Sequence, residues 1–302
     1  MMKRTAVTFA LALIGFFAST THAQATLVTF PAPPDQQPGD AFGTAVAVDN
    51  NTAVVTAPNH DDGNGEPGAA YVYTFDGATW TFQQELTPPD ADGSGFGMAV
   101  DISGDLIAVG AARDNSFTGA VYVFALENNT WSYEAKYLAP DGEAGDAFGF
   151  SVALAGDTMA VGATGYDAPA EGGGTLGSSG AVYAFIRTAG EFTPQPVLIP
   201  DDIVPGSLLG FSVDVHVSRT IIAGAPFANE QTGAAYHFFS CLCGPWGSPH
   251  ITKDGANCLP LGIIWPASFR MRSSLVRKGS SGLLSGLSLS AIHLSNLSER
   301  PR

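Results

Sequence analysis

Four copies of one three-part phrase set the limits on what this chain can fold into. Phe42-Gly43, Phe96-Gly97, Phe148-Gly149 and Leu209-Gly210 each open a short apolar alternation. That alternation ends at Thr56-Ala57-Pro58, Gly110-Ala111-Ala112, Gly162-Ala163-Thr164 and Gly224-Ala225-Pro226. A third segment closes each copy: Gly68–Tyr73, Gly119–Phe124, Gly180–Phe185 and Gly233–Phe238, each with Tyr at its fourth position. Self-similarity at a period of roughly 50–60 residues marks an array of one supersecondary unit, in which no single unit buries its faces alone. It shifts the functional question from a catalytic pocket toward a binding surface.

Inside each unit the apolar period is two. In the second copy, Met98–Ile102, Leu106–Val109, Ala120–Phe124 and Trp131–Leu138 read as four short strands of β-branched and aromatic residues, bounded by Gly, Asn and Asp. The first turn of the unit recurs as Asn50-Asn51, Gly104-Asp105 and Gly156-Asp157, residue types that accept the positive φ of tight hairpins. No stretch of the repeats carries a helical apolar stripe. Four antiparallel strands per 50-residue unit predict an all-β fold of β-propeller blades; a sandwich would not repeat its sequence on this period.

Phe-Gly, then Gly-Ala-Pro, then Gly-x-x-Tyr-Val-Phe resembles the FG-GAP repeat of integrin α-chain-like propellers and of many secreted bacterial proteins. The resemblance spans residues 27–240 and includes the acidic linkers Leu86–Gly97 and Leu138–Gly149. It implies a non-catalytic binding or adhesion module whose rim loops take an extracellular protein or a glycan. On this reading Phe42, Phe96, Phe148 and Leu209 pack between blades. Gly43, Gly97, Gly149 and Gly210 allow close backbone approach. Ala57, Pro58, Gly110, Ala111, Gly162, Ala163, Gly224, Ala225 and Pro226 crowd near the centre.

The chain departs from the family in two respects. Integrin-type blades carry an Asp-x-Asp-x-Asp-Gly calcium loop between the first two strands. The equivalents here, Asp49–Thr52, Ser103–Asp105, Ala155–Asp157 and Val217–Thr220, are too tight to supply the six to eight oxygens that Ca²⁺ takes. No cofactor is therefore expected, and calcium is not carried over. The remaining metal candidates are Asp61, Asp62, Asn64 and Glu66 after the first Ala-Pro, along with the linker acids Asp90, Asp92, Asp141, Glu143 and Asp146. All of these also read as solvated turns. The second departure is in the fourth unit, which lacks an outer strand after Phe239. Either Thr26–Phe30 supplies it and closes a four-bladed ring, or the array is an open arc whose exposed blade edges invite self-association.

Targeting and charge bound the rest. Lys3 and Arg4 precede an apolar run, Ala6–Ala18, with small residues at Ala23 and Ala25; residues 1–25 read as a secretory signal peptide. The run is shorter than the ~20 residues that span a bilayer, and no transmembrane segment is expected. The protein is expected to be secreted, extracellular or periplasmic. The net charge of −15 is unevenly spread. Residues 241–302 hold seven Lys/Arg against Asp254 and Glu299, and the leader holds two more cations. Residues 26–240 are left with Arg113, Lys136, Arg187 and Arg219 against the other 26 acids, or −22. Such a surface repels nucleic acid.

At residue 241 the composition turns abruptly basic and Ser/Leu-rich, either as a separate tail or because the reading frame has been lost. All three cysteines, Cys241, Cys243 and Cys258, lie there. With His250 their spacing is not that of a standard zinc module. Ser151 and Ser212 occupy strand positions of the repeat, without the strand-to-helix turn of a nucleophile elbow. His60, His216 and His237 form no H-E-x-x-H helix. Two rival readings stay open: a carbohydrate-active enzyme domain on a propeller, with a carboxylate pair in a closed channel, and a truncated copy of a larger protein with no independent function.

Overall fold

A computed structural model describes residues 30–61, 63, 68–90, 95–217 and 219–239. The leader (1–25), the tail (241–302), Thr26–Thr29 and four of the metal candidates, Asp62, Asn64, Glu66 and Asp92, lie outside the described residues. The period-two pattern is realised as four antiparallel sheets, one per repeat. The first is β1 (Val46–Asp49), β2 (Thr52–Ala57), β3 (Ala69–Phe75) and β4 (Trp80–Leu86). The second is β5 (Phe96–Ser103), β6 (Leu106–Ala111), β7 (Ala120–Glu127) and β8 (Thr130–Tyr137). The third begins with β9 (Phe148–Ala155) and β10 (Thr158–Ala163). A small hairpin of β11 (Ala168–Pro169) and β12 (Thr175–Leu176) follows, before β13 (Ala181–Thr188) and β14 (Glu191–Pro194) complete the sheet. The fourth holds three strands, β15 (Ser212–His216), β16 (Thr220–Ala225) and β17 (Ala234–Phe239). Each sheet is an up-and-down meander, the architecture of a propeller blade.

The first three hairpins pair Asp49 with Thr52, Ser103 with Leu106 and Ala155 with Thr158, leaving two-residue turns. Asn50, Gly104 and Gly156 take positive φ there, as their residue types allow. These hairpins spend their polar atoms on the neighbouring blade. Asp49 Oδ2 accepts from Gly104 N at 2.7 Å, and Asp101 Oδ2 accepts from Leu154 N at 2.6 Å. Arg219 pairs with Asp157 in the same way.

Three apolar clusters lie between successive sheets, and a fourth, around Val55, Tyr71 and Tyr73, belongs to the first sheet alone. Val54, Ala70 and Val72 of the first blade share a core with Phe96, Tyr122 and Phe124 of the second. Val121 and Val123 of the second pack with Phe148, Tyr183 and Phe185 of the third. Val182 and Ala184 of the third join Leu209, Ile221 and Phe238 of the fourth. Phe96, Phe148 and Leu209 are fully buried, as the motif predicts. Phe42 is only half-buried, against Tyr71 of its own sheet, and among the described residues no sheet lies before the first.

The small motif residues have a more specific role than crowding an axis. A Cβ on Gly110 would strike Gly149 O, one on Gly162 would strike Gly210 O, and one on Gly119 or Gly180 would strike the backbone of Phe148 or Leu209. The Gly positions that end the second strand and begin the third are where the next blade's Phe-Gly backbone lies. Short backbone bonds seal that approach: Phe148 N to Thr118 O at 3.0 Å, and Leu209 N to Ser179 O at 2.9 Å.

Two features differ from the sequence expectation. Asn115–Phe117 and Asn229–Gln231 form single left-handed turns, all six residues having positive φ, at the same place in the second and fourth repeats. Phe30 does not reach the fourth sheet. It stacks on Trp80 at 5.1 Å and meets Tyr73 edge-on at 5.1 Å, both in the first blade. The linker before each repeat packs on the blade that follows it, and the first linker obeys the same rule. Successive inner strands β1, β5, β9 and β15 are neighbours in that order. Val46 and Val48 are 68% and 66% exposed at one end, and Ile222 is 51% exposed at the other. Among the described residues the four sheets do not close into a ring.

Candidate functional site

One polar knot recurs in every repeat, built from three separate segments. The linker supplies an Asp, six or seven residues before the Phe-Gly position: Asp35, Asp90, Asp141 and Asp202. The third strand supplies the motif Tyr: Tyr71, Tyr122, Tyr183 and Tyr236. The loop after the second strand supplies a residue three positions past the motif Ala: His60, Asp114, Tyr166 and Ala228. In the first two repeats the outer strand adds a fourth, because Glu85 is registered opposite Tyr71 and Lys136 opposite Tyr122.

The knots close differently. In the second repeat Tyr122 Oη donates toward Asp90 at 2.6 Å and toward Asp114 at 2.8 Å, while Lys136 Nζ pairs with the same carboxylates at 2.6 and 2.8 Å. In the third, Asp141 accepts from Tyr183 at 2.7 Å and from Tyr166 at 3.1 Å. In the fourth, Asp202 bonds Tyr236, and burial with that carboxylate pushes the phenol up to about 12. Burial first, then the adjacent carboxylates, raises Tyr71, Tyr122 and Tyr183 as well, so all are neutral donors at any physiological pH.

The first knot is the exception. His60 is 2% exposed. Its Nδ1 lies 3.0 Å from Asp40 Oδ2, and its Nε2 lies 3.7 Å from both Asp35 Oδ2 and Glu85 Oε1. Burial opposes a charge on the imidazole, but the Asp40 hydrogen bond and the carboxylates of Asp35, Asp40 and Glu85 outweigh it and raise the pKa. Burial raises Asp40 too, yet the Gln37 N–H and His60 hold it below its ordinary value. Tyr71 is 1% exposed. Its hydroxyl and Asp35 Oδ1 both lack a hydrogen bond of normal geometry, although the two groups are neighbours. Asp35, His60 and Glu85 offer one ligand atom each, all within 4.8 Å of one another. A cleft lined by Asp35, Gln37, Asp40, Asn59, His60 and Asp61 opens beside them.

The predicted acidic positions divide accordingly. Asp61 borders this cleft and turns its Oδ1 to Gly63 N at 2.7 Å. Asp90 and Asp141 belong to knots, and Asp146 accepts from Glu143 N at 2.8 Å, as Asp40 does from Gln37 N. Ser151 is a strand residue whose Oγ donates to Gly210 O of the next blade at 2.7 Å. Sequence reasoning missed His60, Asp35 and Glu85 as a group. The signal that marks them is the recurrent linker Pro-Asp, Pro-Asp-Asp in the fourth repeat, ahead of each Phe-Gly position and its motif Tyr.

A second surface follows from the register. The residue after each Phe-Gly sits at the start of an inner strand, and Met98, Phe150 and Phe211 occupy it in three consecutive repeats. Met98 and Phe150 are half-buried, Phe211 is exposed, and the two Phe rings lie 5.1 Å apart.

Stacked four-stranded meanders with apolar interfaces and Phe-Gly contacts define a protein of β-propeller blade type. The family model described as FG-GAP repeat matches residues 31–73, 80–124 and 131–185. The chain is an FG-GAP repeat protein. The fourth unit lies past the matched residues yet forms the same first three strands and the same Asp–Tyr contact. No curated protein sequence matches the chain. Among the described residues, no helix is long and apolar enough to cross a membrane.

Proposed function

We propose that the protein is an extracellular, non-catalytic binding module that uses its blade array as a rigid platform for a protein or glycan ligand. The observation that carries this reading is the row Met98, Phe150 and Phe211. Three consecutive blades present a partly exposed apolar side chain at the same register, and nothing in the core requires it. Exposed aromatic and thioether groups on a stiff scaffold bind with little ordering cost, and they suit sugar faces or apolar side chains equally. The use of the other recurrent polar groups supports the same reading. Asp49, Asp101 and Ser151 tie one blade to the next, while Asp90 and Asp141 anchor linkers to blades, so these are structural bonds rather than a poised acid–base pair. Secretion, read from residues 1–25, is part of the proposal.

The test is retention on a glycan array and on intact cell surfaces, comparing the protein with a Phe150→Ser/Phe211→Ser variant of unchanged melting temperature. A specific ligand, held at least tenfold more weakly by the variant, is the expected result. Equal binding by both proteins would remove this surface from consideration.

A second reading has its own observation. The fourth sheet ends at β17 with no further strand among the described residues, and Ile222 and Phe211 are exposed on that blade. An uncovered edge of this kind pairs readily with another chain. Self-association through it predicts a concentration-dependent dimer in sedimentation velocity. Breakage by His237→Pro, which removes a ladder donor, would support that contact; a monomer at all concentrations would rule it out.

A further inference from the structure

We propose that the first knot is a divalent transition-metal site, with Zn²⁺ the best-suited ion, held by His60 Nε2, Asp35 Oδ2 and Glu85 Oε1. The comparison between repeats carries the argument. In the second repeat the outer-strand position opposite the motif Tyr is Lys136, whose ammonium neutralises the linker Asp and the loop Asp. In the first repeat that position is Glu85. The place taken by an internal cation in one blade is ringed in the other by carboxylates and an imidazole. The cation that completes it comes from solution.

The donor geometry fits such an ion. Asp40 lies 3.0 Å from His60 Nδ1 and holds a proton there, while Nε2 faces Asp35 and Glu85; an ion bound between them takes the place of the Nε2 proton. A carboxylate on the far nitrogen of a ligating imidazole is the usual outer-shell support of a metal site. Nε2 stands 3.7 Å from each carboxylate oxygen; a tetrahedral ion with bonds of 2.0–2.1 Å holds its ligands about 3.3 Å apart, so a small inward shift closes the set. One nitrogen with two carboxylate oxygens favours Zn²⁺ over Ca²⁺ or Mg²⁺, which prefer all-oxygen shells. The Tyr71 hydroxyl, 1% exposed, interacts with the Asp35 carboxylate and so helps hold that ligand in place. The ion would tie linker, loop and outer strand together as Lys136 does in the next blade, with a coordination position left toward the cleft.

The test uses the full chain, stripped with a chelator and desalted, with its three cysteines alkylated so that thiols cannot bind. Titration calorimetry with ZnCl₂ is expected to show one equivalent bound in the micromolar range or tighter, with a rise in melting temperature. Asp40→Asn should weaken binding 10–100-fold, the usual effect of losing an outer-shell partner. Glu85→Lys should abolish binding while melting cooperatively, since it replaces a ligand carboxylate with an ammonium at the register Lys136 occupies in the second repeat. A Co²⁺-loaded sample should give a spectrum of nitrogen and oxygen ligands. Absence of saturable zinc binding would overturn the site and leave His60 as a protonated bridge among its carboxylates. Zinc binding unchanged in Glu85→Lys would overturn it equally.

Discussion

The Lys136 ammonium lies 2.8 Å from a carboxylate oxygen of Asp114, a side chain only 2% exposed. That contact joins the outer strand β8 to the loop after β6, and Asp90 ties the linker to the same nitrogen. Replacing Lys136 by Met would keep the stem and strand Asp114 as a buried charge with only Tyr122 to donate to it. Orphaning a buried charge costs about 3–5 kcal/mol. Because Lys136 is itself 22% exposed, the low end, about 3 kcal/mol, is expected in urea denaturation.

The same knot has a signed pH dependence. Burial raises the Asp90 pKa, but hydrogen bonds from Lys136 and Tyr122 and the Lys136 charge outweigh it and hold the group below its ordinary 3.8. A lowered carboxylate contributes stability that is present above its unfolded pKa and is lost as pH falls through its folded pKa. The melting-temperature advantage of the wild type over Lys136→Met should therefore be full at neutral pH and shrink below about pH 4. A gap that widens on acidification would contradict this assignment.

Gly162→Ala tests the blade contact. The added methyl would meet Gly210 O and Ser151 Oγ, and the first is backbone that cannot swing away. Overpacking costs typically 1–3 kcal/mol, and the upper end is expected here. Gly177→Ala serves as a control for general glycine effects, because its φ is not positive and its added methyl would meet only Asp167 Oδ1, at 4.0 Å.

The strands and their order were legible because each lies in one contiguous stretch with period two, and because four copies cross-check one another. The motif glycines were legible as close-approach sites, though not which backbone they approach. Burial of Phe42 was not legible, since the motif is the same but, among the described residues, no sheet packs on it as the first packs on Phe96. The knots were invisible for a related reason. Asp35, His60 and Glu85 are 25 residues apart along the chain, in a linker, a loop and a strand, and only the fold brings them to one point. The left-handed turns at Asn115–Phe117 and Asn229–Gln231 carried no sequence signal beyond their leading Asn.

The difference between Phe148 and Phe42 gives a further expectation. Phe148 is fully buried between the second and third blades and meets Tyr183 edge-on at 5.3 Å. Phe148→Ala should cost about 3–5 kcal/mol. Phe42→Ala, at a half-exposed site, should cost about 1 kcal/mol, near half of full aromatic burial. Parallel denaturation curves decide the matter, and equal losses would mean that the first blade is covered in solution.

The central claim is that the Asp–Tyr knot recurs in every repeat, that Lys136 neutralises the second, and that the first has Glu85 at the register of that lysine. The melting temperature of Glu85→Lys in chelator tests it most directly. The account predicts a value above that of the metal-free wild type, because a lysine opposite Tyr71 removes one carboxylate from the cluster and sets an ammonium beside Asp35, as Lys136 sits beside Asp90. A value below wild type would contradict the equivalence of the two knots.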